Sequence, residues 1–176
     1  MDARTGRRQK KISTRQERRA AEDVGGRTQP ASGALPEAGG DVRKRGELRI
    51  ECKYTDNDFY VLELATLEKV KLQAIKGGLE APVLQIGFRD RFGRLDLYAV
   101  IPWDPRKPRP ALCIETTAKS TRLQQAYLRL ALVDNYDVVG GGTRRLQQKA
   151  VMMVRFLPKA DFEIMHWQDY LNQEES

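Results

Sequence analysis

The stretch from Asp41 to Tyr54, DVRKRGELRIECKY, constrains this chain more than any other part of it. Its second half alternates apolar and polar residues with the period of a half-buried strand. Lys44, Arg45 and Gly46 supply a turn before it, so the segment predicts a β-hairpin. Successive side chains of a strand point to opposite faces. Glu51 and Lys53 therefore share one face, while Ile50 and Cys52 share the other and pack into apolar surroundings. A hairpin centred near Gly46 brings Asp41 opposite Glu51. Two carboxylates then converge beside one lysine.

Adjacent carboxylates repel each other unless a cation joins them, and a hard divalent ion with oxygen ligands relieves that repulsion while keeping waters in its shell. Magnesium is the expected ion, with manganese as a substitute. Such an ion polarises a phosphoryl oxygen and lowers the pKa of a bound water, which suits phosphodiester cleavage. Lys53 beside it would orient the attacking water or stabilise charge on the phosphate. A bare D…ExK pattern is weak, because on an exposed hairpin Lys53 would simply pair with Glu51 across solvent. Context strengthens it: Gly39 and Gly40 lead into the aspartate, the IEC run is strongly β-prone, and an upstream helix carries an acid near its start.

That helix is expected to run through RQERRAAEDV, capped by Ser13 or Thr14, with Glu17 in its first turns where the helix dipole favours a carboxylate. Before it, MDARTGRRQKK is basic and almost free of large apolar residues, the composition of an arm that stays mobile until a polyanion orders it. Residues 1–12 are thus read as a disordered basic arm, with Arg7, Arg8, Lys10 and Lys11 as DNA contacts, and residues 13–176 as one domain with a C-terminal elaboration. Gly25 to Gly40 is dense in glycine, proline, serine and alanine and reads as a long loop. Arg27 in that loop and Arg43, Lys44 and Arg45 at the hairpin are further candidates for holding a phosphate backbone without reading bases.

Beyond the hairpin, VLELATLEKVKLQAIKGG has helical apolar spacing at Leu62, Leu64, Leu67, Val70, Leu72 and Ile75, ended by Gly77 and Gly78. APVLQIGF and RLDLYAVIPW, on either side of RDRFG, read as a strand pair. STRLQQAYLRLALV reads as a helix, Gly140 to Gly142 as a break and KAVMMVRFLP as a core strand. FEIMHWQDYLNQ fits helix or strand. The glycine triplet lacks the lysine and hydroxyl residue of a phosphate loop, so no nucleotide cofactor is expected. His166, the single histidine, lies far from the motif and reads as a packed or surface residue. Cys113 has no partner at a nucleophile's spacing and reads as buried.

The chain has 176 residues and a net charge of +7, enough for one compact domain and a balance that favours a polyanionic partner. Its two cysteines sit in no ligand or disulfide spacing, which fits a reducing, cytoplasmic setting. No run of about 18 apolar residues is present to span a bilayer, so no membrane partner is expected.

The ordered set RQERR, GGRTQPASG, GGDV and LRIECK, from about Ser13 to Thr55, resembles the archaeal-type and phage Holliday junction resolvases, a branch of the PD-(D/E)xK nucleases. The resemblance implies an α/β, restriction-endonuclease-like fold with a mixed sheet flanked by helices. It implies a magnesium-dependent endonuclease that resolves four-way DNA as a homodimer. Asp41 and Glu51 match its metal carboxylates, Lys53 its catalytic lysine, Glu17 its helical metal-site glutamate and Ser32 its active-site loop serine. Glu22, on the same expected helix, is an alternative to Glu17. The loop from Ser32 to Asp41 is longer than expected of the archaeal proteins and closer to the phage style. A nuclease of this fold acting on other DNA, in nicking, repair or restriction, and a non-catalytic DNA-binding module remain alternatives. The helix from Leu123 to Leu132 and the ending near Trp167 and Tyr170 are candidate dimer surfaces or plain core.

Overall fold

The computed structural model describes residues 3–29, 41–90, 92–104, 106, 113–114, 120–132 and 162–174. Among these, the expected hairpin forms from β2 (Val42–Lys44) and β3 (Leu48–Thr55), turning at Gly46 with φ +76°. Val42 faces Ile50 and Lys44 faces Leu48, the register expected from the sequence. β1 (Arg27–Thr28) adds antiparallel to β2, so the long glycine-rich loop begins with a short strand. Residues 30–40 of that loop, Ser32 included, lie outside the described residues.

β3 continues into β4 (Phe59–Glu63) and α2 (Leu64–Lys76), and the chain returns as β5 (Ala81–Arg89), parallel to β3 over eight residue pairs from Leu48 and Ala81 onward. A parallel return needs a crossover of this kind. β6 (Leu95–Pro102) follows antiparallel to β5, as the two apolar runs predict. β9 (Phe162–His166) pairs with β6, and β7 (Cys113–Ile114) with β9. The resulting order is β1-β2-β3-β5-β6-β9-β7, a mixed α/β sheet, while β4 pairs with β8 (Ser120–Gln124) in a separate two-stranded sheet.

Strand alternation divides the core into two layers. Leu84, Ile86 and Phe88 of β5 meet Leu67 of α2, Leu62 of β4 and Leu123 and Leu128 on one face. Ile50, Cys52 and Val83 meet Ala20 and Ala21 of α1 (Ala3–Val24), with Trp167 and Tyr170 of α4 (Trp167–Glu174), on the other. Cys52 is packing, as expected. Fully burying side chains such as Ile50 or Leu84 contributes roughly 1.5–3 kcal/mol each.

Several expectations need correction. Residues 3–11 are not an arm but the first turns of α1, a continuous run rich in helix-forming arginine, lysine and glutamine without proline. Ser13 and Thr14 consequently lie inside the helix. Ser13 Oγ donates to Glu17 Oε1 at 2.7 Å and Thr14 Oγ1 donates to the Lys10 carbonyl at 3.0 Å, so neither caps an end.

The second helix starts three residues late, because Val61 to Glu63 pair with β8. Leu72 and Ile75 on it are 56% and 49% exposed rather than core. Likewise the segment from Ser120 is strand first, and only α3 (Gln125–Leu132) is helical. Arg122 lies over the Phe59 ring at 3.6 Å, a cation–π contact across that pairing. The ending is strand, then helix. The proposed dimer surfaces there are core: Trp167 and Tyr170 are 4% and 2% exposed, stacked at 5.2 Å, and the Trp167 indole donates to Asp23. His166 packs on the Tyr98 ring and lies 3.5 Å from Asp96, consistent with a packed role. Gly140 to Gly142 and KAVMMVRFLP lie outside the described residues.

One buried carboxylate ties the hairpin to the crossover. Glu80, at the head of β5, accepts from Arg43 Nε at 2.6 Å, Arg49 Nε at 2.9 Å and the Gly46 N–H at 3.2 Å. Arg43 also donates to the Gly77 carbonyl, and a Cβ at residue 77 would collide with the Arg49 guanidinium. Glycine is required there by space. Burial raises the Glu80 pKa, but these donors outweigh it and hold the carboxyl below its usual 4.5. Glu80→Gln should therefore cost about 3–5 kcal/mol in chemical denaturation, because it strands Arg49 in the interior. The wild-type advantage should be complete above the usual carboxylate pKa and fade as pH falls through the depressed folded value.

Candidate active site

Glu51 and Lys53 sit on the face of β3 that looks towards α2, while Ile50 and Cys52 fill the opposite core, as strand alternation requires. Lys53 Nζ donates to Glu51 Oε1 at 2.7 Å, so the Glu51–Lys53 pair is formed. It is not the solvent-spanning surface pair that an ordinary hairpin would offer. Glu51 is 5% exposed and the Lys53 side chain 39%. Burial lowers the Lys53 pKa, but its bond to Glu51 and the charges of Glu51 and Asp41 more than reverse this, and the amine stays cationic.

The regular ladder of the hairpin ends at Val42 and Ile50, and Asp41 lies just beyond it rather than in a pair with Glu51. The Asp41 N–H donates to the Ile50 carbonyl at 2.8 Å, and its Oδ2 accepts the Cys52 N–H at 2.7 Å. The aspartate side chain thus satisfies a β3 amide where the β2 ladder ends. Burial raises the Asp41 pKa first and the Glu51 charge second. The Cys52 N–H and Lys53 pull it down and Glu17 pushes it up, and the balance leaves the carboxyl above its usual 3.8.

Glu17 enters this field from α1. Gln16 anchors the helix there, its Nε2 shared between the Lys53 carbonyl at 3.1 Å and Gln85 Oε1 at 3.0 Å. Glu17 is partly buried and its charge acts on both Asp41 and Cys52, while Glu22 is exposed.

Two neighbours were not singled out from the sequence. Lys69 of α2 brings Nζ within 3.7 Å of Glu51 Oε1, and Tyr60 lies in the field of Lys53 and Glu51. Neither stands at a motif spacing. Lys69 reaches the site only because the crossover lays α2 over β3.

The expected phosphate contacts fare unequally. Arg43 is committed to Glu80 and Gly77 and is structural, not a free cation. Lys44 pairs with Glu47. Arg27 and Arg45 are exposed, and with Gly25, Gly26, Gln29, Arg43 and Lys44 they line a groove of about 400 Å³. Lys10 and Lys11 are exposed on α1. Arg7 and Arg8 fall within the helix, their side chains outside the described part.

The donor set of Asp41, Glu51 and Glu17 is all oxygen, which suits a hard divalent ion. Among the described residues no three acids, cysteines or histidines stand close enough together to hold a metal ion. Magnesium needs no such cluster, since it commonly binds through one or two carboxylates, waters and substrate phosphate. Burial first and the neighbouring carboxylates after it raise the Asp41 pKa, and a cation bound there would offset both.

Because Asp41 binds its proton more tightly folded than unfolded, its charge costs stability above the folded pKa and costs nothing below the unfolded one. Asp41→Asn keeps an acceptor for the Cys52 amide and removes the charge. It should raise the melting temperature at neutral pH, and the gain should vanish in acid below about pH 3.8. No family model matches the chain and no curated protein is significantly similar to it.

Proposed function

We propose that this protein is a magnesium-dependent endonuclease of PD-(D/E)xK type that acts on branched DNA, resolving four-way junctions as a homodimer in a reducing, intracellular setting. The observation that carries this reading is the buried Glu51 bonded to Lys53 at 2.7 Å, with the partly buried Asp41 carboxyl held on the Cys52 amide within the field of both. The mixed sheet, with α1 packed on β3 and an α2 crossover between two parallel strands, supports a restriction-endonuclease-like arrangement.

In this reading Asp41 and Glu51, with Glu17, hold the metal, for which manganese substitutes. Bound there, the ion supplies a polarised phosphoryl oxygen and an acidified water. Lys53 is a preorganised cation: its bond to Glu51 fixes the ammonium near the scissile phosphate, where it orients the attacking water and meets the charge that develops during cleavage. Asp41 keeps its position through the Cys52 amide, independently of its charge. Arg27 and Arg45 hold the backbone beside the cut. By the resemblance described above, Ser32 belongs to the same site.

The test is cleavage of a labelled four-way junction beside matched linear duplex and single strands, with magnesium or chelator. Paired symmetric nicks are expected, lost with chelator and reduced by a factor of about 100 or more in Lys53→Ala and Glu51→Gln. Both variants should still bind the junction. Cleavage of linear DNA alone would keep the nuclease and reject junction resolution, while binding without cleavage would leave a DNA-binding module. Millimolar magnesium or calcium should raise the melting temperature of wild type more than that of Asp41→Asn.

A further inference from the structure

We infer that the outer face of α1 is a docking track for the sugar–phosphate backbone of a duplex DNA arm, carried by Lys11, Arg15 and Arg18 with Lys10 and Thr14 beside them. This inference rests on the nuclease reading above and extends it to the surface that holds the substrate.

Charge is concentrated on this helix. Residues 3–24 contain eight arginines and lysines against three acids, a net of +5 out of +7 for the whole chain. Lys11, Arg15 and Arg18 follow the i, i+4, i+7 spacing of one helical stripe, and the sequence continues that spacing backwards at Arg8 and Arg4. Lys10, Lys11, Arg15, Arg18 and Arg19 are all exposed, and none forms an ion pair among the described residues. Among the described residues of the sheet and its flanks, several cations are paired instead: Arg43 and Arg49 with Glu80, Arg89 with Asp56, Arg129 with Asp96. Lys10, Lys11, Thr14, Arg15 and Arg18 line a concavity of about 590 Å³.

The stripe is held in register with the active site. Gln16, on the inner side of the same turns, is 2% exposed and bonded to the Lys53 carbonyl, and Glu17 lies between Gln16 and Arg18. Lys10 to Arg19 spans about 14 Å at 1.5 Å per residue. Laid along the duplex axis, that covers roughly four base-pair steps at about 3.4 Å each.

The composition of the face selects the partner. No aromatic residue occurs in α1, so there is no platform for the base stacking on which single-strand binders rely. The exposed side carries no apolar residues to insert into a lipid surface. Long cations on a regular helix suit the backbone of a duplex and read no sequence.

The experiment measures binding to a labelled junction, to linear duplex and to single strands in chelator, where cleavage does not interfere, between about 50 and 200 mM salt. Arg15→Gln/Arg18→Gln is compared with Lys71→Gln/Lys76→Gln, which removes the same charge from exposed positions on α2. Circular dichroism and melting temperature check that both remain folded. The α1 variant should weaken junction and duplex binding together and lower the slope of log affinity against log salt by about 1 per side chain removed. With magnesium its KM should rise while kcat at saturating junction stays unchanged.

An unaltered slope, an equal loss in the α2 variant, or tighter binding to single strands than to duplex would overturn the track. Failure of the wild type to bind any DNA would remove the nuclease reading with it. A wild type that cleaves junctions beside an α1 variant of unchanged affinity would remove only the track.

Discussion

Glu80 receives three separate pieces of chain: Arg43 from β2, Arg49 from β3 and the Gly46 amide from the turn between them. A carboxylate buried at the end of a helix crossover costs several kcal/mol to desolvate, and only a full complement of donors makes that tolerable. The hairpin can meet that demand in one register. Glu80 also stands where β5 begins, so the parallel pairing of Leu48 with Ala81 starts from the same point. The place of Asp41 at the other end of the hairpin, just past the last ladder pair, follows from this anchoring.

At that far end the physical situation is reversed. Glu80 has more positive neighbours than it needs, and its proton is held weakly. Asp41 has two carboxylates in its field and a partly buried position, and its proton is held tightly. The first arrangement stabilises the fold, and the second stores repulsion that a cation would release. Lys53 meets part of that surplus through Glu51, and Lys69 adds a longer contact from α2. Stability and candidate chemistry therefore occupy opposite ends of the same two strands.

α1 links the two layers of this description. Ala20 and Ala21 are small enough to let the helix lie close against Ile50 and Cys52, and Gln16 reaches past them to the backbone of Lys53 and to Gln85. A helix fixed so firmly on its inner side carries its outer side as a rigid surface. Its charges are positioned relative to Asp41 and Glu51 by packing rather than by a loop.

The sequence by itself determined what depends on neighbours within a few residues. It set the turn at Gly46, the alternation that parts Glu51 and Lys53 from Ile50 and Cys52, and hence the pairing of Glu51 with Lys53. Local sterics and a period of two suffice for that. Tertiary structure decided what depends on distant partners. Val61 to Glu63 became strand because β8 offers a ladder, although their spacing suits a helix equally well. Trp167 and Tyr170 became core because α1 supplies Asp23 and an apolar face. Arg43 was withdrawn from the set of free cations by Glu80, and Glu17 came into the field of Asp41 because α1 docks against β3. Each of these outcomes rests on burial and pairing across many residues, and those energies are not written in the local pattern.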